Sequence, residues 1–210
     1  MATARGRHAP PPEVRRALQR ERLLRAAAAE FAQRGYRGTS SDSISRRAAM
    51  SKATFYEHFA NKEECMLALY DESVAVVQGS MAQAARHAPR GDAEARLRAG
   101  TRAFLTALAE HPEHAQTLLV EIIGAGPRAA ARRDQILQGF AAVLDAENEA
   151  AARRGLTARF ASPDDSFAVV GAIVELVSRQ VRLGVPARIL DLAPVIDRLI
   201  LGLLATASSS

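Results

Sequence analysis

The sequence predicts an all-α protein of about nine helices, in which an N-terminal three-helix helix-turn-helix unit precedes a larger helical domain. Three observations carry that prediction. The 210 residues are 48% apolar but only 5% aromatic, with no tryptophan, so strand-forming runs are scarce. Apolar residues recur every three or four positions between glycine and proline breaks. Residues 35–63 hold two short helical patterns around a three-residue break, with a third following almost without a gap.

The first dozen residues, MATARGRHAPPP, combine Arg5, Arg7 and His8 with prolines and read as a flexible basic arm, residues 1–12. A helix follows Pro12 and runs to about Arg34, with Leu24, Ala27, Ala28 and Phe31 as its apolar stripe and Gly35 as its stop. Thr39 or Ser40 caps a short helix whose apolar face carries Ile44 and Ala48. Ala49-Met50-Ser51 breaks the chain, and Lys52 to Phe59 forms a helix of barely two turns. At that length it is unstable alone, so it must lean on neighbours through Phe55 and Phe59, spaced i, i+4. Residues 13–61 are therefore one unit.

The remaining residues, 62–210, read as a second helical domain. Asn61 caps a long helix from Lys62 to about His87, with Met66, Leu69, Tyr70, Val74, Val77 and Met81 on one face, and Ala88-Pro89-Arg90-Gly91 ends it. Further patterns run from Asp92 to Glu110, from Pro112 to Ile123 and from Pro127 to about Arg154. Ser162-Pro163-Asp164-Asp165 starts a helix that stops at Gly184, and Asp191 to Thr206 gives the last one. The Ser208–Ser210 tail is expected to fray.

Charge narrows the function. The formal charge is +5 and the isoelectric point about 10.1. Arginine crowds the stretch from Met1 to Arg47, which has only four acids, Glu13, Glu21, Glu30 and Asp42. Such clustering suits double-stranded DNA. A membrane surface is disfavoured, because Arg15 to Glu30 sets mainly alanine and leucine against its charges, without bulky apolar residues. The single cysteine, Cys65, excludes an internal disulfide and reads as a packing residue. With no apolar leader pattern and no uncharged run of about 18 residues, a cytoplasmic protein is expected.

The segment GYRGTSSDSISRRAAMSKATFYEHFANKEE carries a family resemblance. Gly35, Tyr36, Thr39, Ile44, Ala48, Ser51, Lys52, Thr54, Phe55, Tyr56, His58, Phe59, Asn61, Lys62 and Glu63 stand at the defining positions of the pattern. The chain resembles the TetR family of transcriptional regulators over its first third. Ser41, Ser45 and Ala49-Met50 depart from the pattern. Ala49 matters most, because it replaces a glycine where positive φ is wanted and costs about 1 kcal/mol if that geometry is kept.

Helical projection from Lys52 puts Phe55 and Phe59 inward and the outward direction between Ala53 and Glu57. Entering a major groove N-terminus first, this helix would bring Lys52, Ala53, Thr54 and Glu57 to base edges, with Tyr56 and His58 nearer phosphates, and Ser51 is a further DNA-binding candidate. The resemblance implies such roles for Lys52, Thr54, Tyr56 and His58. His58 has a second reading, a hydrogen bond inside the three-helix unit. Lys62 and either Thr39 or Ser40 are expected to add phosphate contacts at helix N-termini. Arg5 and Arg7 are candidates for a neighbouring minor groove.

No catalytic constellation appears: there is no G-x-S-x-G and no phosphate-binding glycine loop, so no enzyme, cofactor or metal is expected. His111-Pro112-Glu113-His114 comes nearest to a metal cluster, but it spans a helix start, where the side chains should splay into solvent. Tyr70, Phe104, Leu108, Leu119, Ile122, Phe140, Leu144, Phe167 and Val170 either pack solidly or surround a ligand cavity of the kind the resemblance implies. Glu121 and Glu175, acids inside apolar runs, either pair within the fold, lie at a dimer seam or face the ligand. A lipophilic effector is expected, cationic if a glutamate faces it. The last two helices are more apolar than packing onto one domain requires, which predicts a homodimer joined by a four-helix bundle. The function expected is a dimeric repressor released from a palindromic operator by an effector. The alternatives are an effector-independent architectural DNA-binding protein and, further off, a helical lipid carrier or enzyme.

Overall fold

The structure is a computed structural model that describes residues 11–89, 92–155 and 159–205. The expected basic arm with Arg5 and Arg7, the end of the last helix at Thr206 and the serine tail lie outside the described residues. Among the described residues there are helices and no strands. They are α1 (Pro12–Gly38), α2 (Ser41–Arg47), α3 (Lys52–His58), α4 (Lys62–His87), α5 (Ala93–Glu110), α6 (Pro112–Leu119), α7 (Pro127–Ala152), α8 (Pro163–Leu183) and α9 (Ala193–Ala205), with 3₁₀ turns at Glu121–Gly124 and Ile189–Leu192.

Most boundaries follow local chemistry. Ser40 caps α2 through a reciprocal box with Ser43, so of the two candidates it is Ser40 and not Thr39 that closes this N-terminus. Ser51, Asn61, Asp92 and Ser162 cap α3, α4, α5 and α8 by accepting backbone amides. Two expectations are corrected. The sixth helix stops at Leu119 and tightens into the 3₁₀ turn because Val120 leaves helical geometry (φ −122°). The ninth begins at Ala193, with residues 189–192 forming a separate turn.

Gly35 interrupts α1 instead of ending it. Its φ of 69° and ψ of 164° break the hydrogen-bonding run, after which the chain makes one more turn to Gly38. Across that break Thr39 is buried, and its hydroxyl donates to the carbonyls of Gly35 (2.9 Å) and Glu30 (3.1 Å).

The core has two main parts. In the first, Leu23, Leu24 and Phe31 of α1, Ile44 of α2 and Phe55 of α3 pack with Met66, Leu69 and Tyr70 of α4 and with Ile122 after α6. Burying Phe55 completely contributes about 1.5–3 kcal/mol, which is how a seven-residue helix persists. In the second, the far half of α4 meets α5, α6, α8 and α9 through Val77, Leu105, Leu119, Val177 and Ile196. Because α4 belongs to both, the N-terminal unit and the larger domain share one continuous helix.

Charges reinforce the first part. Glu30, with a side chain only 6% exposed, pairs with Arg47 at 2.9 Å and Arg34 at 3.5 Å. Burial pushes its carboxyl up, but the hydrogen bond from Arg47, the nearby Ser43 hydroxyl and the charges of Arg34 and Arg47 outweigh it and leave the pKa below its ordinary 4.5. A folded pKa that is lowered gives stability that is complete above the ordinary value and is lost as pH falls through the folded one. Glu30→Gln is therefore expected to cost about 1.5–3 kcal/mol at pH 7. The gap to the wild type should close as pH drops below 4.5, read from urea midpoints at several pH values.

The turn between α2 and α3 keeps positive φ without a glycine, since Ala49 sits at φ 52°. The strain anticipated for alanine at this position is therefore present. Ala49→Gly is expected to stabilise the fold by about 1 kcal/mol, raising the melting temperature by roughly 2–4 °C for a chain of this size. A lower melting temperature would mean that the turn carries no such strain.

Candidate nucleic-acid interface and internal cavity

α3 lies against the body through Phe55 and Phe59, which are buried, and turns Ser51, Lys52, Ala53, Tyr56 and Glu57 to solvent. Tyr56 keeps half of its surface exposed and meets Phe55 edge to face at 5.5 Å between ring centres. Thr54 is half-buried, with its hydroxyl 2.9 Å from that of Ser51. At the far end, His58 has its Nε2 shut away from solvent with no hydrogen-bond partner among the described residues. Burial, helped by the charges of Arg16 and Arg20 and opposed by Glu57, holds its pKa below the ordinary histidine value. His58 thus belongs to the packing beneath α3 and not to its outer face.

Arginines of α1 frame this helix. Arg22 donates to the Ala48 carbonyl at the end of α2 (2.7 Å) and Arg16 to the Glu57 carbonyl at the end of α3 (3.2 Å). Arg20 sits 5.5 Å over the ring of Phe59. Arg15, Gln19 and Arg22 border a shallow depression with Ser51 and Thr54. These α1 side chains were not among the sequence candidates, although their arginine spacing marked the helix as basic.

Two further candidates turn inward. Lys62 does not point out from the α4 N-terminus: its ammonium donates to the Tyr36 carbonyl at 2.7 Å and the Thr39 carbonyl at 2.8 Å, and lies 4.1 Å over the Tyr36 ring. Burial lowers its pKa. Thr39 has spent its hydroxyl inside, so of the α2 pair only Ser40 stays exposed. Both Lys62 and Thr39 build the joint that orients the short helices, which corrects the expectation that their side chains face outward.

Glu121 completes that joint. Its Oε2 accepts the Tyr36 amide at 2.6 Å, while Oε1 accepts from Gln116 at 2.9 Å. The break at Gly35 leaves this amide without a helical partner, and a Cβ on Gly35 would stand 3.5 Å from the same carboxylate oxygen. Glu121 is therefore a tie between the end of α1 and the turn after α6, not a cavity group.

Behind the joint lies a cavity of about 460 Å³, within the range of small-molecule sites. Of the sequence candidates it is lined by Tyr70, Phe104, Leu119, Phe140, Leu144 and Val170. Leu108 and Ile122 are buried in the core without reaching it, and Phe167 packs against Leu137, Ala141 and Val170. Glu175 is on the surface, paired with Arg182 at 2.9 Å. Neither glutamate faces the cavity, so the case for a cationic effector falls away. Sequence reasoning missed its polar groups, Gln78, Arg96, Thr101, Arg133 and Glu147. The signal for two of them was available: Arg133, Ile136, Leu137, Phe140, Leu144 and Glu147 form one helical stripe.

Cys65 is fully buried, and burial pushes its thiol up to about 12, which suits packing and not thiolate chemistry. His114 does not splay into solvent. Its Nδ1 is 2.7 Å from the hydroxyl of Ser73, which itself donates to the Leu69 carbonyl at 2.8 Å. Among the described residues no group of three or more metal-ligating side chains is arranged to hold an ion, and no helix is long and apolar enough to cross a membrane.

Residues 23–69 match the model of the bacterial regulatory proteins of the tetR family. Over these residues, about a fifth of the chain, the protein carries a domain of the TetR type. The HTH-type transcriptional activator FasR of Mycolicibacterium smegmatis is 36% identical over 103 residues, 49% of this chain and 46% of that protein. The chain thus spans less than half the length of that relative. The fatty acid degradation regulator FadR of Bacillus halodurans superposes with a TM-score of 0.78 at 18% identity, covering 95% of this chain and 97% of its own. FadR of Bacillus subtilis, solved with stearoyl-CoA, gives 0.76 at 18% identity, covering 87% and 98%. At that identity the two structures show that the fold is shared over nearly the whole length of this chain, and nothing more.

Glu57 is the unusual outward group on α3, since a carboxylate facing DNA is repelled by phosphates unless it accepts from a cytosine amino group. Glu57→Ala is expected to keep or raise DNA affinity while flattening preference among single-base variants of a bound site. Unchanged preference in competition binding would remove Glu57 from the base-reading face.

Proposed function

We propose that the protein is a sequence-specific DNA-binding transcriptional regulator. It works as a homodimer in the cytoplasm and leaves a palindromic operator when a lipophilic small molecule enters its cavity. Repression is the simplest consequence of a reader that lets go on binding effector. Ser40, Ser51, Lys52, Ala53, Thr54, Tyr56 and Glu57 are the proposed DNA-facing residues.

The observation that carries this reading is that two elements are common to the cavity and to the joint under the short helices. α4 contributes Tyr70, Val74 and Val77 to the cavity and begins with Lys62 at the joint. α6 contributes Leu118 and Leu119, and the turn that follows it carries Glu121. A ligand that displaces either element is felt at Tyr36, and through Thr39 at α2 and α3. FasR, a relative over half of this chain, is an activator of transcription, and FadR of Bacillus subtilis holds stearoyl-CoA. The first favours a transcriptional role, and the second a ligand with a long apolar chain.

Dimerisation follows from geometry and surface. Two recognition helices read a two-fold site only when held about 34 Å apart or a multiple of it. Leu183 at the end of α8, Val185 after it, and Leu190 and Val195 before and within α9 leave apolar surface exposed. A bundle of α8 and α9 with their partner copies would cover it.

Genomic fragments bound by the purified protein should share a palindromic sequence, and sedimentation should give a dimer at micromolar concentration. A monomer, or binding without sequence preference, would overturn the reading. Glu121→Ala is expected to leave the fold intact and shrink the effect of an effector on operator affinity by tenfold or more, about 1.4 kcal/mol or above. An undiminished effect would exclude the tie from the signalling route.

A further inference from the structure

Arg132 and Arg133 are adjacent on α7 but meet different surroundings. Arg132 pairs with Asp71 of α4 at 2.8 Å on the outer seam, next to the pairing of Arg128 with Glu64 at 2.5 Å. Arg133 turns the other way and lines the cavity, where no carboxylate or carbonyl among the described residues hydrogen-bonds to it. The phenol of Tyr70, also on the cavity wall, has no hydrogen-bond partner among them either. Both groups line the same cavity, and the charges of Arg133 and then Arg132 oppose the burial that, with Asp71, pushes the phenol's pKa up to about 12.

The opposite end of the cavity is neutral. Arg96 and Glu147 both line it and pair with each other at 2.5 Å. Two arginines against one glutamate leave one positive charge, and it belongs to Arg133. Arg133 and Glu147 are 14 positions apart on the helix, about 21 Å along its axis, with Leu137, Phe140 and Leu144 between them on the same wall. A half-buried guanidinium without a counter-ion is costly and presents a planar fork suited to two oxygens of one anion.

We infer that the cavity takes an amphiphile with an anionic head, a carboxylate or a phosphate, and that Arg133 with Tyr70 receives this head while the apolar wall of α7 takes the chain. The inference rests on the reading of the cavity as the effector site.

Calorimetric titration of the full chain with dodecanoate, dodecanoyl-CoA and the neutral 1-dodecanol, each below its micelle concentration, tests it in wild type and Arg133→Gln. At least one of the two anionic probes should bind wild type tenfold or more tighter than dodecanol. Arg133→Gln should abolish that preference and leave dodecanol affinity unchanged. Loss for dodecanoate alone assigns a carboxylate head, and loss for the thioester alone assigns a phosphate. Equal binding of all three probes, or an anion preference that survives Arg133→Gln, overturns the anchor while leaving the cavity reading in place. Failure of all three probes to bind wild type overturns that reading as well, and the anchor with it. Unchanged near-ultraviolet circular dichroism keeps misfolding of the variant out of the comparison.

Discussion

The N-terminal domain depends on the peptide group of Tyr36. Gly35 leaves the helical region at φ 69°, and this single break frees the Tyr36 amide and leaves its carbonyl only a 3.3 Å backbone bond from the Thr39 amide. Both are taken by charged side chains from elsewhere: Glu121 accepts the amide and Lys62 donates to the carbonyl. Neither charge is fully solvated, so each hydrogen bond is of the stronger, charge-assisted kind. Removing Glu121 would leave an amide in a half-buried site with no substitute, while removing Lys62 would take the charged donor from two carbonyls at once, leaving that of Tyr36 with the Thr39 amide alone. The glycine is needed for its φ of 69° and not for space, since a Cβ there would meet the Glu121 carboxylate at 3.5 Å, an ordinary contact.

Around that joint, much of the basic charge of α1 and α2 is used structurally. Arg22 and Arg16 close the ends of α2 and α3, Arg20 covers Phe59, and Arg47 holds Glu30 with a further hydrogen bond to Gln33. A short helix cannot satisfy its own C-terminal carbonyls. Arginine solves this at long reach, because its planar fork spans from a neighbouring helix and still leaves part of its charge toward solvent. The positive field of this end of the chain and the stability of its two seven-residue helices therefore come in part from the same side chains.

Much of the architecture was legible in the sequence because local chemistry decides it. Caps at Ser40, Ser51, Asn61, Asp92 and Ser162, with breaks at Pro89 and Gly184, set most boundaries, and the spacing of Phe55 and Phe59 set which face of α3 is outward. What escaped notice depends on contacts between residues far apart in the chain. Glu121 meets Tyr36 across 85 positions, and nothing in LLVEII says which of pocket, seam or core an acid will reach. Lys62 at a helix N-terminus reads as a free cation until the bend at Gly35 brings two carbonyls over it. Arg133 was hidden for a different reason. A pair of arginines in AARRD looks like solvated surface, and only the angle of α7 against α4 sends one to Asp71 and the other into the cavity.

The strength of the tie bounds what an effector could achieve through it. A hydrogen bond to a charged group is worth about 1.5–3 kcal/mol net, a factor of roughly 10–150 in a two-state equilibrium. Moving a population from 99:1 to 1:99 takes about 5.5 kcal/mol, so one tie in one chain falls short of a complete switch. In the proposed dimer two such ties would break together and sum to about 3–6 kcal/mol, which reaches that range only at its upper end. The remainder would have to come from α4, whose cavity residues and whose Lys62 lie on one uninterrupted helix. Coupling is thus expected to run along two routes that converge on Tyr36, one to its amide through α6 and one to its carbonyl through α4. Loss of either route should then weaken the response without abolishing it.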